Sequence, residues 1–243
     1  MNDVILGSLV IFVASFIQGV TGFGFALLAV PLLSYILPLK SVVPLVVFYS
    51  LATNLFILKE TKNDIKLKEI RWVIIFGIIG IPVGVYFLKI IDVNILKILI
   101  GIIIFITAIA MMNGLKVKIE NEVLSGGIVG FLSGFLNGSI SMSGPPVVIF
   151  LTNRGSDKNT FRANLTAYAI VTNIITIGSF MISGITGREN IHYLIYLFPT
   201  LLAGVFTGSF LARKINEALF KNIVLVLIII TGVTTVITTI QNH

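Results

Sequence analysis

The stretch "SGFLNGSISMSGPPVVIFL", residues 133–151, carries no charge at any position, and yet it does not read as a lipid-facing helix. It holds four serines, Asn137, three glycines and the pair Pro145–Pro146. A solvated loop would be charged, and a lipid-facing helix would carry leucine where these small polar residues stand. Glycine and proline interrupt the helix here and free backbone N–H and C=O groups that lipid cannot satisfy. At membrane depth such backbone is tolerated only when buried in protein or lining a polar cavity. The segment therefore predicts a broken helix within a membrane protein.

The rest of the chain supplies that membrane protein. Of 243 residues, 56% are hydrophobic and 11% charged, against about 25% charged in a soluble domain; the mean hydropathy is +1.07. Runs free of Lys, Arg, Asp and Glu cover 4–39, 41–58, 72–88, 98–115, 123–153, 163–187, 190–212 and 222–243. Six have the length of one bilayer-spanning helix, about 17 to 25 residues. The N-terminus "MNDVILG" lacks a basic region and a cleavage site, so it reads as a retained first segment and not a signal peptide. The chain has no cysteine, which excludes disulfides and thiolate–metal chemistry. Its net charge of +7 fits Lys and Arg collecting in cytoplasmic loops; with no basic stretch interleaved with aromatics, nucleic acid is not expected as a partner.

Runs 4–39 and 123–153 have the wrong length for a single crossing. The first, as one helix, would measure roughly 54 Å at 1.5 Å per residue, and the second is too short for two crossings and a turn. Each breaks in its middle, at "QGVTGFG" (18–24) and "GFLNGSISMSGPP" (134–146). If all eight runs crossed once, the Lys and Arg residues would divide evenly between the two sides. If runs one and five return to the side they entered, 13 of the 17 share one side. The positive-inside rule thus favours two helical hairpins, re-entrant or short-span, with both termini extracytoplasmic.

The two halves resemble each other. "FIQGVTGFGFALLAVP" (16–31) lies over "FLSGFLNGSISMSGPP" (131–146), matching Phe16 with Phe131, Gly19 with Gly134 and Pro31 with Pro146. "ATN" at 52–54 lies over "VTN" at 171–173, and Gly80, Gly84, Lys89, Asp92 and Lys97 match Gly204, Gly208, Arg213, Asn216 and Lys221 at one constant offset. A hairpin plus three spans is an odd number of crossings, so the halves are expected to be inverted in the membrane. The predicted fold is an all-α polytopic membrane protein of two inverted repeats, each a hairpin plus three transmembrane helices. Repeat 1 covers 1–113 (hairpin 4–39, spans 41–58, 72–88 and 95–113), a cytoplasmic linker 114–122, and repeat 2 covers 123–243 (hairpin 123–153, spans 163–184, 192–212 and 220–240). Many secondary transporters share this plan, with the substrate near midplane where broken helices meet.

"QGVTGFGFALLAVPLL" and "GFLNGSISMSGPPVVIFL" also resemble the paired signatures of the TauE/SafE family of sulfite exporters and related permeases, over nearly the whole chain. The resemblance implies a bacterial or archaeal cytoplasmic-membrane transporter of small anions, often sulfur-containing ones such as sulfite or organosulfonates, with export as the expected direction. It leaves the particular anion open.

The residues fit an anion on chemical grounds as well. All ten acidic residues lie outside the cores of the uncharged runs, so neither a buried proton relay nor a paired-carboxylate acid/base site is expected. No enzymatic activity, metal or cofactor is expected. A half-helix N-terminus presents unpaired N–H groups to a small oxyanion, and neutral donors bind while still allowing release. The candidate substrate-binding residues are Gln18, Gly19, Thr21, Gly22, Gly24, Asn54, Asn137, Gly138, Ser139, Ser141, Ser143, Gly144, Pro145 and Asn173. Gly80-xxx-Gly84, Gly204-xxx-Gly208 and Gly130-xxx-Gly134 read as packing faces; Arg154 and Arg162 read as positive-inside charges at the cytoplasmic mouth. Expected partners are a small anion and the lipid bilayer of the cell membrane, with a homo-oligomer left open. A passive anion channel and a non-transporting membrane scaffold are the alternative readings.

Overall fold

A computed structural model of the chain describes residues 2–96, 98–102, 121–185, 191–216 and 219. Among these residues the fold is all helix: α1 (Asn2–Thr21), α2 (Phe25–Leu33), α3 (Leu39–Thr61), α4 (Leu67–Ile90), α5 (Glu122–Ile140), α6 (Gly144–Asn153), α7 (Lys158–Ser183), α8 (Ile191–Tyr196) and α9 (Phe198–Ala212), with a 3₁₀ turn at Lys62–Asp64. Six stretches are long and apolar enough to cross a membrane: Val4–Thr21, Leu39–Asp64, Leu67–Ile90, Glu122–Ile140, Lys158–Ser183 and Tyr193–Ala212. The protein is a multi-pass membrane protein. The expected span 220–240 lies outside the described residues, as do parts of the expected span 95–113 and of the linker 114–122.

Local chemistry sets the helix ends. Asn121 caps α5 by accepting from the amides of Val123 and Leu124, and Asp157 caps α7 by accepting from those of Asn159 and Thr160. α8 and α9 form one rod interrupted at Leu197, where Pro199 supplies no amide to the first turn of α9. The helices extend past the ends of the uncharged runs. α3 and α4 end in lysine-bearing turns and α7 begins at Lys158, because long basic side chains reach water from the ends of a span.

The two hairpins have unequal arms. α1 and α5 contain 20 and 19 residues, whereas α2 and α6 contain 9 and 10, or roughly 14–15 Å of helix. In each, a span-length helix stops, the chain turns, and a half-length helix follows.

Polar contacts gather the basic loops at one end of the bundle. Arg154 pairs with Glu122 at 2.7 Å and Arg213 with Glu60 at 2.8 Å. Lys158 Nζ donates to the carbonyls of Ala212 and Ile215, and the Lys66 amide donates to Asn164 Oδ1. The C-termini of α3, α6 and α9 and the N-termini of α4, α5 and α7 therefore meet there. At the opposite end Lys89 Nζ donates to the Ser183 carbonyl. α5 starts at the charged end and runs away from it; α1 approaches it, its Gly19 carbonyl accepting from Arg162.

Two seams of glycine hold the helices together. Gly80 and Gly84 of α4 lie against the backbone of Phe131 and Phe135 of α5, and Gly204 and Gly208 of α9 lie against that of Phe12 and Phe16 of α1. These contacts correct the register of the internal match. Gly138 meets Ile81 and Val85, and Gly19 meets Val205 and Ser209, the corresponding residues 124 positions on. Gly19 therefore corresponds to Gly138 and not to Gly134, at the same offset of 119 that relates Asn54 to Asn173. The cause is that α5 carries glycine every fourth residue from Gly126 to Gly138, so a match by identity slides one helical turn without losing a glycine.

Candidate functional site

In the corrected register the two breaks correspond residue by residue: Gln18 to Asn137, Gly22 to Ser141, and the starts of α2 and α6 to each other. Gly22 and Ser141 both adopt left-handed backbone, with φ of 83° and 63°, which is what reverses the chain after each long arm. Thr21 Oγ1 secures the first turn by donating to Ile17 O or Phe23 O and accepting from the Phe23 amide. The Ser141 and Met142 amides secure the second by donating to Asn137 O and Leu136 O.

Between the breaks lies a cavity of about 30 Å³, walled by Gln18 and residues 22–27 of the first break, 141–145 of the second, Ser50 and Asn54 of α3, and Leu165 and Ala169 of α7. One water requires at least about 10–15 Å³ on this measure, so the space suits a ligand of a few heavy atoms. Ser50 and Asn54 stand near the middle of α3, well inside the bundle. Among the described residues, no charged side chain lines the cavity.

The two half-helices differ in what they offer. The first intrahelical bond of α2 runs from the Leu28 amide to the Gly24 carbonyl. The amides of Phe25, Ala26 and Leu27 precede it, and all three residues line the cavity. No side chain caps this end, so it carries the partial positive charge of an open helix N-terminus. In α6 the matching positions include Pro145 and Pro146, which have no N–H. The first break is therefore the main source of donors, and the second supplies wall.

Behind the wall runs a relay of side-chain amides. Asn137 Nδ2 donates to Thr176 Oγ1 at 2.9 Å and to Asn173 Oδ1 at 3.2 Å. Asn173 Nδ2 donates to Ser50 Oγ at 3.1 Å, and Asn54 Nδ2 donates to the same Oγ at 3.2 Å and to the Ser50 carbonyl at 2.7 Å. Asn54 Oδ1 and Gln18 Oε1 are buried and have no hydrogen-bond partner among the described residues.

Of the candidate residues, Gln18, Gly22, Gly24, Asn54, Ser141, Ser143, Gly144 and Pro145 line the cavity. Six lie behind it. Gly19 and Gly138 occupy the helix seams, Thr21 and Ser139 bond to their own helices or turns, and Asn137 and Asn173 orient Ser50 through the relay. Sequence reading missed Phe23, Phe25, Ala26, Leu27, Ser50, Met142, Leu165 and Ala169. Ser50 carried one usable signal: it stands one helical turn before Asn54, on the same face.

Arg162 departs from expectation most. Read as a charge at the mouth, it is 4% exposed, with Nη2 donating to Gly19 O at 2.7 Å. α7 begins four residues earlier, so Arg162 lies a full turn inside, beneath the first break. An added Cβ on Gly22 would come within 3.3 Å of its Cα. The corresponding place on α3 belongs to Val43, whose carbonyl accepts from Ser141 Oγ at 2.7 Å. Each break is thus latched to a long helix of the other half, one by a charge and one by a hydroxyl. Arg154, by contrast, stays at the charged end with Glu122.

The family model described as Sulfite exporter TauE/SafE matches residues 7–235. No curated protein and no solved structure matches the chain.

Proposed function

The chain belongs to the sulfite exporter TauE/SafE family, a family of membrane anion transporters, and from that premise we propose that it exports a small, sulfur-containing oxyanion by alternating access. The observation that carries this reading is the open N-terminus of α2. Three residues whose amides precede the first intrahelical bond line a cavity of about 30 Å³ between two broken helices. Such an end attracts an oxyanion, and a wall without a fixed cation lets it go again. The small volume favours an inorganic anion such as sulfite over a long organosulfonate.

The two halves act as inverted repeats that rock about the cavity. In support, α1 approaches the charged end while α5 leaves it, and equivalent residues stand at constant offsets. The charged end is cytoplasmic by the positive-inside rule, which puts the N-terminus outside. A negative-inside potential then favours export, by about 2.3 kcal/mol per unit charge per 100 mV.

The test is flux in liposomes of the purified protein. Saturable sulfite movement that an opposing gradient of unlabelled sulfite accelerates is the expected result. Unitary currents without saturation would make the protein a channel. Failure to move any of a broad panel of sulfur and carbon oxyanions would overturn the reading.

A further inference from the structure

The cavity offers acceptors as well as donors, and a bare anion has no use for acceptors. Asn54 and Gln18 are 0% and 2% exposed, and each keeps an amide oxygen without a partner. The orientation of Asn54 is fixed, because its Nδ2 donates to the Ser50 carbonyl at 2.7 Å, an atom that only accepts. Its Oδ1 is therefore the end left over. Ser50 presents the complementary case. Its Oγ accepts from both Asn54 and Asn173, which occupies both lone pairs and leaves its hydrogen as the function still free. The wall thus combines the Ser50 hydroxyl and the α2 amides, which donate, with two carboxamide oxygens, which accept.

We propose that the site selects the singly protonated form of its oxyanion. The charged oxygens accept from the α2 amides and the Ser50 hydroxyl, and the ligand's own O–H donates to Asn54 Oδ1 or Gln18 Oε1. A fully deprotonated anion would face the fixed Asn54 Oδ1 with lone pairs, leaving it unpaired in a dry site, where an unmet acceptor is most costly. The inference rests on the anion-site reading above and adds to it the ionisation state of the ligand. A substrate bound in this form carries its own proton and moves one net charge.

Binding to the full chain in detergent, measured by titration calorimetry, tests this with two probes. Sulfite is titrated across a pH range that brackets its second ionisation; methanesulfonate, singly charged and without a titrating proton there, controls for changes in the protein. Apparent sulfite affinity is expected to fall about tenfold per pH unit above that ionisation, because only the competent fraction binds, while methanesulfonate stays level. Gln18→Met, which keeps the length of the side chain but lacks the acceptor, is expected to lower the preference for hydrogensulfite over methanesulfonate by about tenfold. The wild-type profile stands alone if that variant does not fold. Sulfite affinity that is level or rises with pH, an equal slope for both probes, or binding that requires sodium at fixed pH would each overturn the proposal while leaving an anion site in place. Absence of binding by either probe at every pH, together with absence of flux, would overturn the underlying reading.

Discussion

Ser141 shows how one residue joins local geometry to the join between the halves. A non-glycine residue in left-handed backbone costs roughly 1–2 kcal/mol, yet this one persists because its hydroxyl reaches Val43 O, 98 residues away in sequence. Its counterpart Gly22 needs no such compensation, and a Cβ added there would sit tightly against Arg162, 3.3 Å from its Cα. Ser141→Ala is expected to lower stability by about 1 kcal/mol or more, since the strain stays and a buried acceptor loses its donor. Ser141→Gly loses the same bond but sheds the strain, so its melting temperature, read by scanning fluorimetry in detergent, is expected to lie closer to wild type. Equal losses would show that φ is not the issue. The break itself was legible from the Gly, Ser and Pro content of 133–146. The left-handed residue was not, because several glycines and serines there were equally able to turn the chain.

At the scale of elements, α4 on α5 and α1 on α9 form the two close seams. Without a hydrophobic driving force between helices in lipid, close backbone approach supplies the packing energy. Gly84→Ala would place a methyl group into the Phe135 carbonyl, and is expected to cost about 1–3 kcal/mol in unfolding by denaturing detergent. Gly178→Ala on α7 meets nothing within 4 Å, and is expected to stay within about 0.5 kcal/mol of wild type. Equal behaviour of the two variants would remove the seam as the explanation. The spacing of Gly80, Gly84, Gly130 and Gly134 marked them as packing residues from sequence. Their partners were hidden, because α4 and α5 belong to different halves and a periodic glycine row fits a neighbour in several registers.

At the scale of the molecule, the arrangement of the basic loops makes a prediction about sidedness. The chain has no cysteine, so single replacements report cleanly. Asn63→Cys and Asn159→Cys lie at the charged end and Asn94→Cys at the other, all three positions exposed. An impermeant maleimide applied to intact cells is expected to label Asn94→Cys alone, with the other two labelled after permeabilisation. Labelling of Asn63→Cys from outside would reverse the assigned orientation; labelling of Asn63→Cys and Asn159→Cys from different sides would break the hairpin topology.

The sequence by itself determined that this is a helical membrane protein and where its helices break. Those properties follow from composition, uncharged run length and residue identity, all of which act locally along the chain. Only the tertiary structure decided that Asn137 and Asn173 stand behind Ser50 and outside the cavity wall, that Arg162 is a buried latch, and that α2 supplies the free amides while α6 does not. Each of these depends on which groups from distant segments satisfy one another's hydrogen bonds once water is excluded. That choice is made in three dimensions, among partners that sequence spacing does not rank.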